Sequence, residues 1–164
     1  MNARFKAITK KLIVVVLSCI MLLGIMPIMG KAFAESYHND VITDVKLTKA
    51  DLVTPATWAD VTTRMQLVVN FALNDRVHAG DKTIIHVPNE FEIVKRESFA
   101  IKSPSGETIA NAVTDPDAKT VTITYANYVD SHSDISGSLH VTVKIDTDVV
   151  TSGQTMRLRL VMDG

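Results

Sequence analysis

Cysteine is almost absent from this 164-residue chain: Cys19 is the only one, and it lies in an apolar run near the N-terminus. A single thiol cannot close an intramolecular disulfide, so stability must come from core burial or from another kind of crosslink. Aromatic residues make up 5% of the chain, and past residue 34 they are Tyr37, Trp58, Phe71, Phe91, Phe99, Tyr125 and Tyr128. Several fall in core phase, which leaves little for the exposed stacking platform that a sugar-binding sandwich needs. Long amphipathic helices are also lacking. Only "ADLVTPATWAD", residues 50–60, leaves room for a short turn outside the N-terminal segment.

Basic charge is scarce once the N-terminal segment is set apart. Residues 1–34 carry Arg4, Lys6, Lys10, Lys11 and Lys31 and no acid, so 12 of the 17 basic residues face all 18 acidic ones in residues 35–164. A net charge near −6 excludes nucleic acid and anionic membrane as main partners. The basic start runs into the apolar stretch Leu12 to Met29, followed by Ala32-Phe33-Ala34. This pattern predicts a signal peptide over 1–34, cleaved between Ala34 and Glu35, with the membrane met only during export. An uncleaved anchor is the rival reading, because a spanning helix needs about 18 apolar residues; Gly24, Pro27 and Gly30 interrupt the run. Val16-Leu17-Ser18-Cys19 loosely resembles a lipoprotein processing box. Acylation there would leave further apolar residues at the new N-terminus, so Cys19 reads as a small hydrophobe.

From Val41 onward the signal is two-residue periodicity. In "TRMQLVVNFAL", Met65, Leu67, Val69, Phe71 and Leu73 share one phase, and Arg64, Gln66 and Asn70 the other. "KTVTITYA" opposes Val121, Ile123 and Tyr125 to Thr120, Thr122 and Thr124, and "SLHVTVKID" opposes Leu139, Val141, Val143 and Ile145 to His140, Thr142 and Lys144. "TMRLRLVMD", residues 155–163, repeats the pattern with Arg157 and Arg159 outward. Further strands are predicted over Val41–Thr48, Thr83–Val87, Phe91–Ile101 and Thr108–Val113. Turn signals separate them: Ala79-Gly80-Asp81, Pro88-Asn89, Ser103 to Gly106, Asp115-Pro116-Asp117 and Ser136-Gly137. About seven to nine short strands with frequent turns predict an all-β, antiparallel immunoglobulin-like sandwich of one domain, residues 35–164.

Asp130-Ser131-His132-Ser133-Asp134 holds every side chain of a serine-hydrolase triad. Triad members converge from separate parts of a fold, whereas loop neighbours diverge. The same stretch imitates a calcium loop, but Ile135 stands where the turn needs glycine and Val141 where a bidentate Glu belongs. The histidines (His38, His78, His86, His132 and His140) lack the spacing of a zinc set. A solvated loop with Asx turns is the expected structure. No catalytic, cofactor or metal residue is assigned, and no cofactor is expected.

Three segments carry a family resemblance. They are "MQLVVNFALNDRVHAGDKTIIHVPNEFEI", "GETIANAVTDPDAKTVTITYANYVD" and "SDISGSLHVTVKID", in order over nearly all of Val41 to Asp146. Together they resemble the N-terminal immunoglobulin-like lobes of Gram-positive surface adhesins, the collagen- and fibrinogen-binding family with SDR-like bacterial Ig domains. The resemblance implies a variant immunoglobulin sandwich on the cell wall or secreted, and non-catalytic attachment to a host matrix protein such as collagen or fibrinogen. It also implies a second lobe in a longer protein, of which this domain is the first. Family ligand sites lie in or between paired lobes, so no ligand residue is carried over. A structural spacer or pilin-like module is the alternative role. Several relatives carry a Lys–Asn isopeptide crosslink, for which Lys46 or Lys49 is the candidate lysine here.

Overall fold

Alternating sequence becomes two antiparallel sheets. The computed structural model describes residues 36–57, 59, 62–151, 153 and 161–162. The leader with its Ala34–Glu35 junction, Trp58, Arg157 and Arg159 lie outside the described residues. In chain order the strands are β1 (Ile42–Thr48), β2 (Met65–Ala72), β3 (Lys82–His86), β4 (Phe91–Ile93) and β5 (Ser98–Lys102). They continue with β6 (Thr108–Asp115), β7 (Thr120–Tyr125), β8 (Ser136–Ile145) and β9 (Val161–Met162). One sheet has the order β1-β2-β8-β4 and the other β5-β6-β7-β3-β9. A single 3₁₀ turn, Asn127–Asp130, lies between β7 and β8. The all-β immunoglobulin-like sandwich read from the sequence is the architecture observed.

Register follows from the apolar phase. Met65, Leu67, Val69 and Phe71 of β2 are buried, and they face the β8 partners Val143, Val141, Leu139 and Gly137. Burying each such side chain contributes about 1.5–3 kcal/mol. A one-residue slip would turn Gln66 and Asn70 inward, so the pairing is strongly specified. Ile85 of β3 and Val121, Ile123 and Tyr125 of β7 close the core from the opposite sheet.

The predicted single strand Phe91–Ile101 is two strands. β4 pairs with β8 in one sheet, and β5 pairs with β6 in the other. Thr114, fully buried in β6, holds the crossing. Its hydroxyl accepts the Glu97 N–H at 2.7 Å and donates to the Lys95 carbonyl at 2.9 Å. Arg96 adds a two-pronged bond to Asp115, at 2.7 and 2.8 Å, and reaches Asp117 at 2.9 Å. Phe91, Ile93, Phe99 and Ile101 share one phase on either side of the crossing, and the charged run Lys95-Arg96-Glu97 interrupts the apolar positions where the chain changes sheet. β6 also runs two residues further than its predicted end.

At the end of the sandwich where β8 exits, Lys119 joins three connections. Its ammonium donates to the Asn89 carbonyl at 2.8 Å and to Asp146 at 2.7 Å. The Lys119 hydrogen bond, first among several, holds the Asp146 carboxyl below the usual carboxylate range. The opposite end carries the β2–β3 and β7–β8 connections.

Candidate functional site

The β2–β3 and β7–β8 connections meet at one end of the sandwich and enclose a cleft of about 190 Å³. Its floor is Leu73, Val77, Val129 and Ile135, and its rim is polar. The Leu73 N–H donates to the Ile135 carbonyl at 2.8 Å and joins the two connections where they leave the sheets. The Asn74 side chain caps the turn by accepting the Arg76 N–H at 3.0 Å, and its amide donates to Asp40 at 3.1 Å. Arg76 pairs with the same Asp40. Asp130 accepts the Ala79 N–H at 3.2 Å and pairs with His78 at 3.3 Å, which ties the two walls together.

Beneath this rim lies a polar anchor. Gly80 has φ of 92°, a left-handed conformation that favours glycine, and its N–H donates to the Tyr125 carbonyl at 2.9 Å. The turn delivers the buried Asp81 carboxylate to three donors: the Ser36 N–H at 3.2 Å, the His78 N–H at 2.9 Å and His38 Nε2 at 2.9 Å. Burial alone would raise the Asp81 pKa, but the His78, His38 and Ser36 bonds together hold it below the usual range. Residues 36–38 thereby run beside β3, with Lys82 N–H donating to Ser36 O and His38 N–H to Lys82 O, both at 2.9 Å. Thr83 donates to the His38 carbonyl and shares a 2.8 Å bond with the Tyr125 hydroxyl. Burial, first among the causes, pushes the Tyr125 phenol up to about 12.

The triad-like stretch lies on this cleft but does not form a relay. Ser131 Oγ is 3.0 Å from His132 Nδ1, and that nitrogen is also 3.0 Å from the Tyr128 carbonyl. Asp130 turns instead to His78. The His132 ring stacks on Tyr128 with centroids 3.8 Å apart. Asp134 takes φ of 54°, a value that Asp tolerates better than most residues. Among the described residues, no three His, Cys, Asp or Glu side chains converge as metal ligands.

The other sequence-derived positions lie apart. Lys46 projects from β1, 63% exposed, and pairs with Asp44 at 2.8 Å, and Lys49 is exposed just past the end of β1. His38 is bound to Asp81, His78 and His132 line the cleft, His86 lies on β3, and His140 is exposed on β8. The sequence reading missed the contribution of Leu73 to His78 and the docking of residues 36–38 on Asp81. The "AGD" turn was the only signal for the second.

A two-sheet antiparallel sandwich whose connections gather at its ends is an immunoglobulin-like domain. The bacterial Ig domain family model matches residues 58–155, and the chain belongs to that family. It is 27% identical over 144 residues to serine-aspartate repeat-containing protein E of Staphylococcus aureus, covering 81% of this chain and 12% of that protein. It is 33% identical over 91 residues to a fibrinogen-binding protein of Staphylococcus epidermidis, covering 53% of this chain and 8% of that one. The chain thus spans about an eighth or less of these relatives. Among solved structures it resembles the collagen adhesin of S. aureus, with a TM-score of 0.54 and 20% identity, over 72% of this chain and 38% of the adhesin. That likeness concerns the fold, which agrees with the sandwich expected from the three sequence segments.

Proposed function

We propose that this chain is the first immunoglobulin-like lobe of a Gram-positive surface adhesin. In this reading it is exported by a leader over 1–34, cleaved at Ala34–Glu35, and attaches without catalysis to a host matrix protein such as collagen or fibrinogen. The observation that carries the reading is 33% identity over 91 residues to a fibrinogen-binding protein, in a chain whose sandwich resembles that of a collagen adhesin. The direction of Asp130 toward His78, away from His132, supports a binding role over a hydrolytic one.

The test is binding of the secreted full chain to immobilised collagen, fibrinogen and fibronectin by surface plasmon resonance, with serum albumin as the blank. Saturable binding to one matrix protein is expected. Equal responses on all four surfaces, or none, would leave the spacer role as the better description.

A further inference from the structure

We propose that the cleft between the β2–β3 and β7–β8 connections receives an arginine side chain of a protein partner. This deepens the adhesin reading and rests on it for the nature of the partner. The floor (Leu73, Val77, Val129 and Ile135) is apolar, and the rim carries Asp75, Asp130 and Asp134 beside the imidazoles of His78 and His132, with no Lys or Arg in the lining. Arg76, the basic residue nearest in sequence, is held outside the lining by Asp40.

The rim charges differ in availability. Asp130 already has His78 and the Ala79 N–H as partners. Asp75 and Asp134 are exposed and have no hydrogen-bond or ion-pair partner among the described residues. Open carboxylates above an apolar floor match a guanidinium, whose planar fork makes two parallel N–H bonds to a carboxylate while its methylene stem lies on apolar surface. A lysine offers the same charge without the fork and fits less well. Residues 35–164, with 12 basic and 18 acidic residues, also draw basic partners by long-range attraction, which salt screens.

The cleft itself is already built. The Leu73–Ile135 bond, the Asn74 cap and the Asp130 contacts tie the walls to the sandwich and to each other. An incoming side chain therefore orders itself more than it orders the protein, which favours even a small contact.

The test is NMR titration of the isotope-labelled full chain with three capped tripeptides, Gly-Arg-Gly, Gly-Lys-Gly and Gly-Gln-Gly. Saturable shifts confined to the amides of residues 73–78 and 129–135 are expected for the arginine peptide, with weaker binding of the lysine peptide and none of the glutamine peptide. Asp75→Asn with Asp134→Asn is expected to weaken the arginine peptide by about three- to tenfold, the scale of two solvated ion pairs. Asn tolerates the left-handed backbone at position 134, so the fold is expected to persist, with an unchanged thermal midpoint as the check.

Equal shifts from the glutamine peptide, shifts scattered over the surface, or indifference to the double substitution would overturn the proposal. So would shifts at the same amides induced by calcium chloride in preference to the peptide. Failure here is separable from failure of the adhesin reading. A double variant that keeps full affinity for an established matrix ligand removes the cleft from the binding surface and leaves adhesion standing. Peptide binding without any matrix binding does the reverse.

Discussion

Gly137 is the residue where packing leaves least room. It sits opposite Phe71 on the neighbouring strand, and a Cβ at this position would lie 2.6 Å from the ring's Cζ. The ring is fully buried and has little freedom to withdraw. Gly137→Ala is therefore expected to destabilise the domain by about 1–3 kcal/mol, the usual cost of overpacking, read as a lowered urea midpoint at constant slope. Asp81 raises a different question, that of buried donors left without an acceptor. Asp81→Asn keeps one carbonyl oxygen for three donors and is expected to cost about 1–3 kcal/mol. The folded-state pKa of Asp81 is depressed, so its contribution is fully present above the unfolded carboxylate value near 3.9 and disappears as pH falls through the folded value. Urea midpoints of parent and variant, measured from neutral pH downward, are expected to differ at pH 6 and to converge in acid. A constant gap at all pH values would remove the carboxylate charge from the explanation.

At the scale of elements, the alternation in the sequence marked β2, β7 and β8 closely because each has one wet face and one dry face. β4 and β5 were legible as strand but not as two strands. Phe91, Ile93, Phe99 and Ile101 keep one phase, the charged Lys95-Arg96-Glu97 between them marks the crossing, and hydrogen bonding to Thr114, a residue well downstream, fixes it. Thr114→Val keeps the shape and removes both bonds, leaving the Glu97 N–H without its side-chain acceptor. A loss of about 1–3 kcal/mol is expected, together with faster amide hydrogen exchange at residues 94–97. Unchanged exchange there would mean that the Arg96–Asp115 fork and the backbone bonds from Thr114 N–H to the Glu97 carbonyl and from Val94 N–H to the Thr142 carbonyl hold the crossing without the hydroxyl. The cleft was hidden for a related reason. Its walls come from residues 73–78 and 129–135, and neither connection carries a pattern that names the other. The Asp130–Asp134 stretch was recognised as a polar loop, but its partner wall was not.

For the whole molecule, the scarcity of cysteine leaves the core and its clamps to hold the domain. The isopeptide expectation is directly measurable. Lys46 is largely open to water and already paired with Asp44, whereas amide formation between side chains needs a dry site. The purified chain is expected at its full calculated mass; a mass short by one ammonia would place a crosslink in the fold. The placement of residues 36–38 has a mechanical meaning. Their backbone bonds to Lys82 and the Ser36 and His38 bonds to Asp81 all lie across the path of the chain. Tension along the axis of β3 would load them together in shear, so that they fail as a group, whereas tension at right angles to it would peel them singly. The short strip beside β3 is where a pulled molecule would resist first.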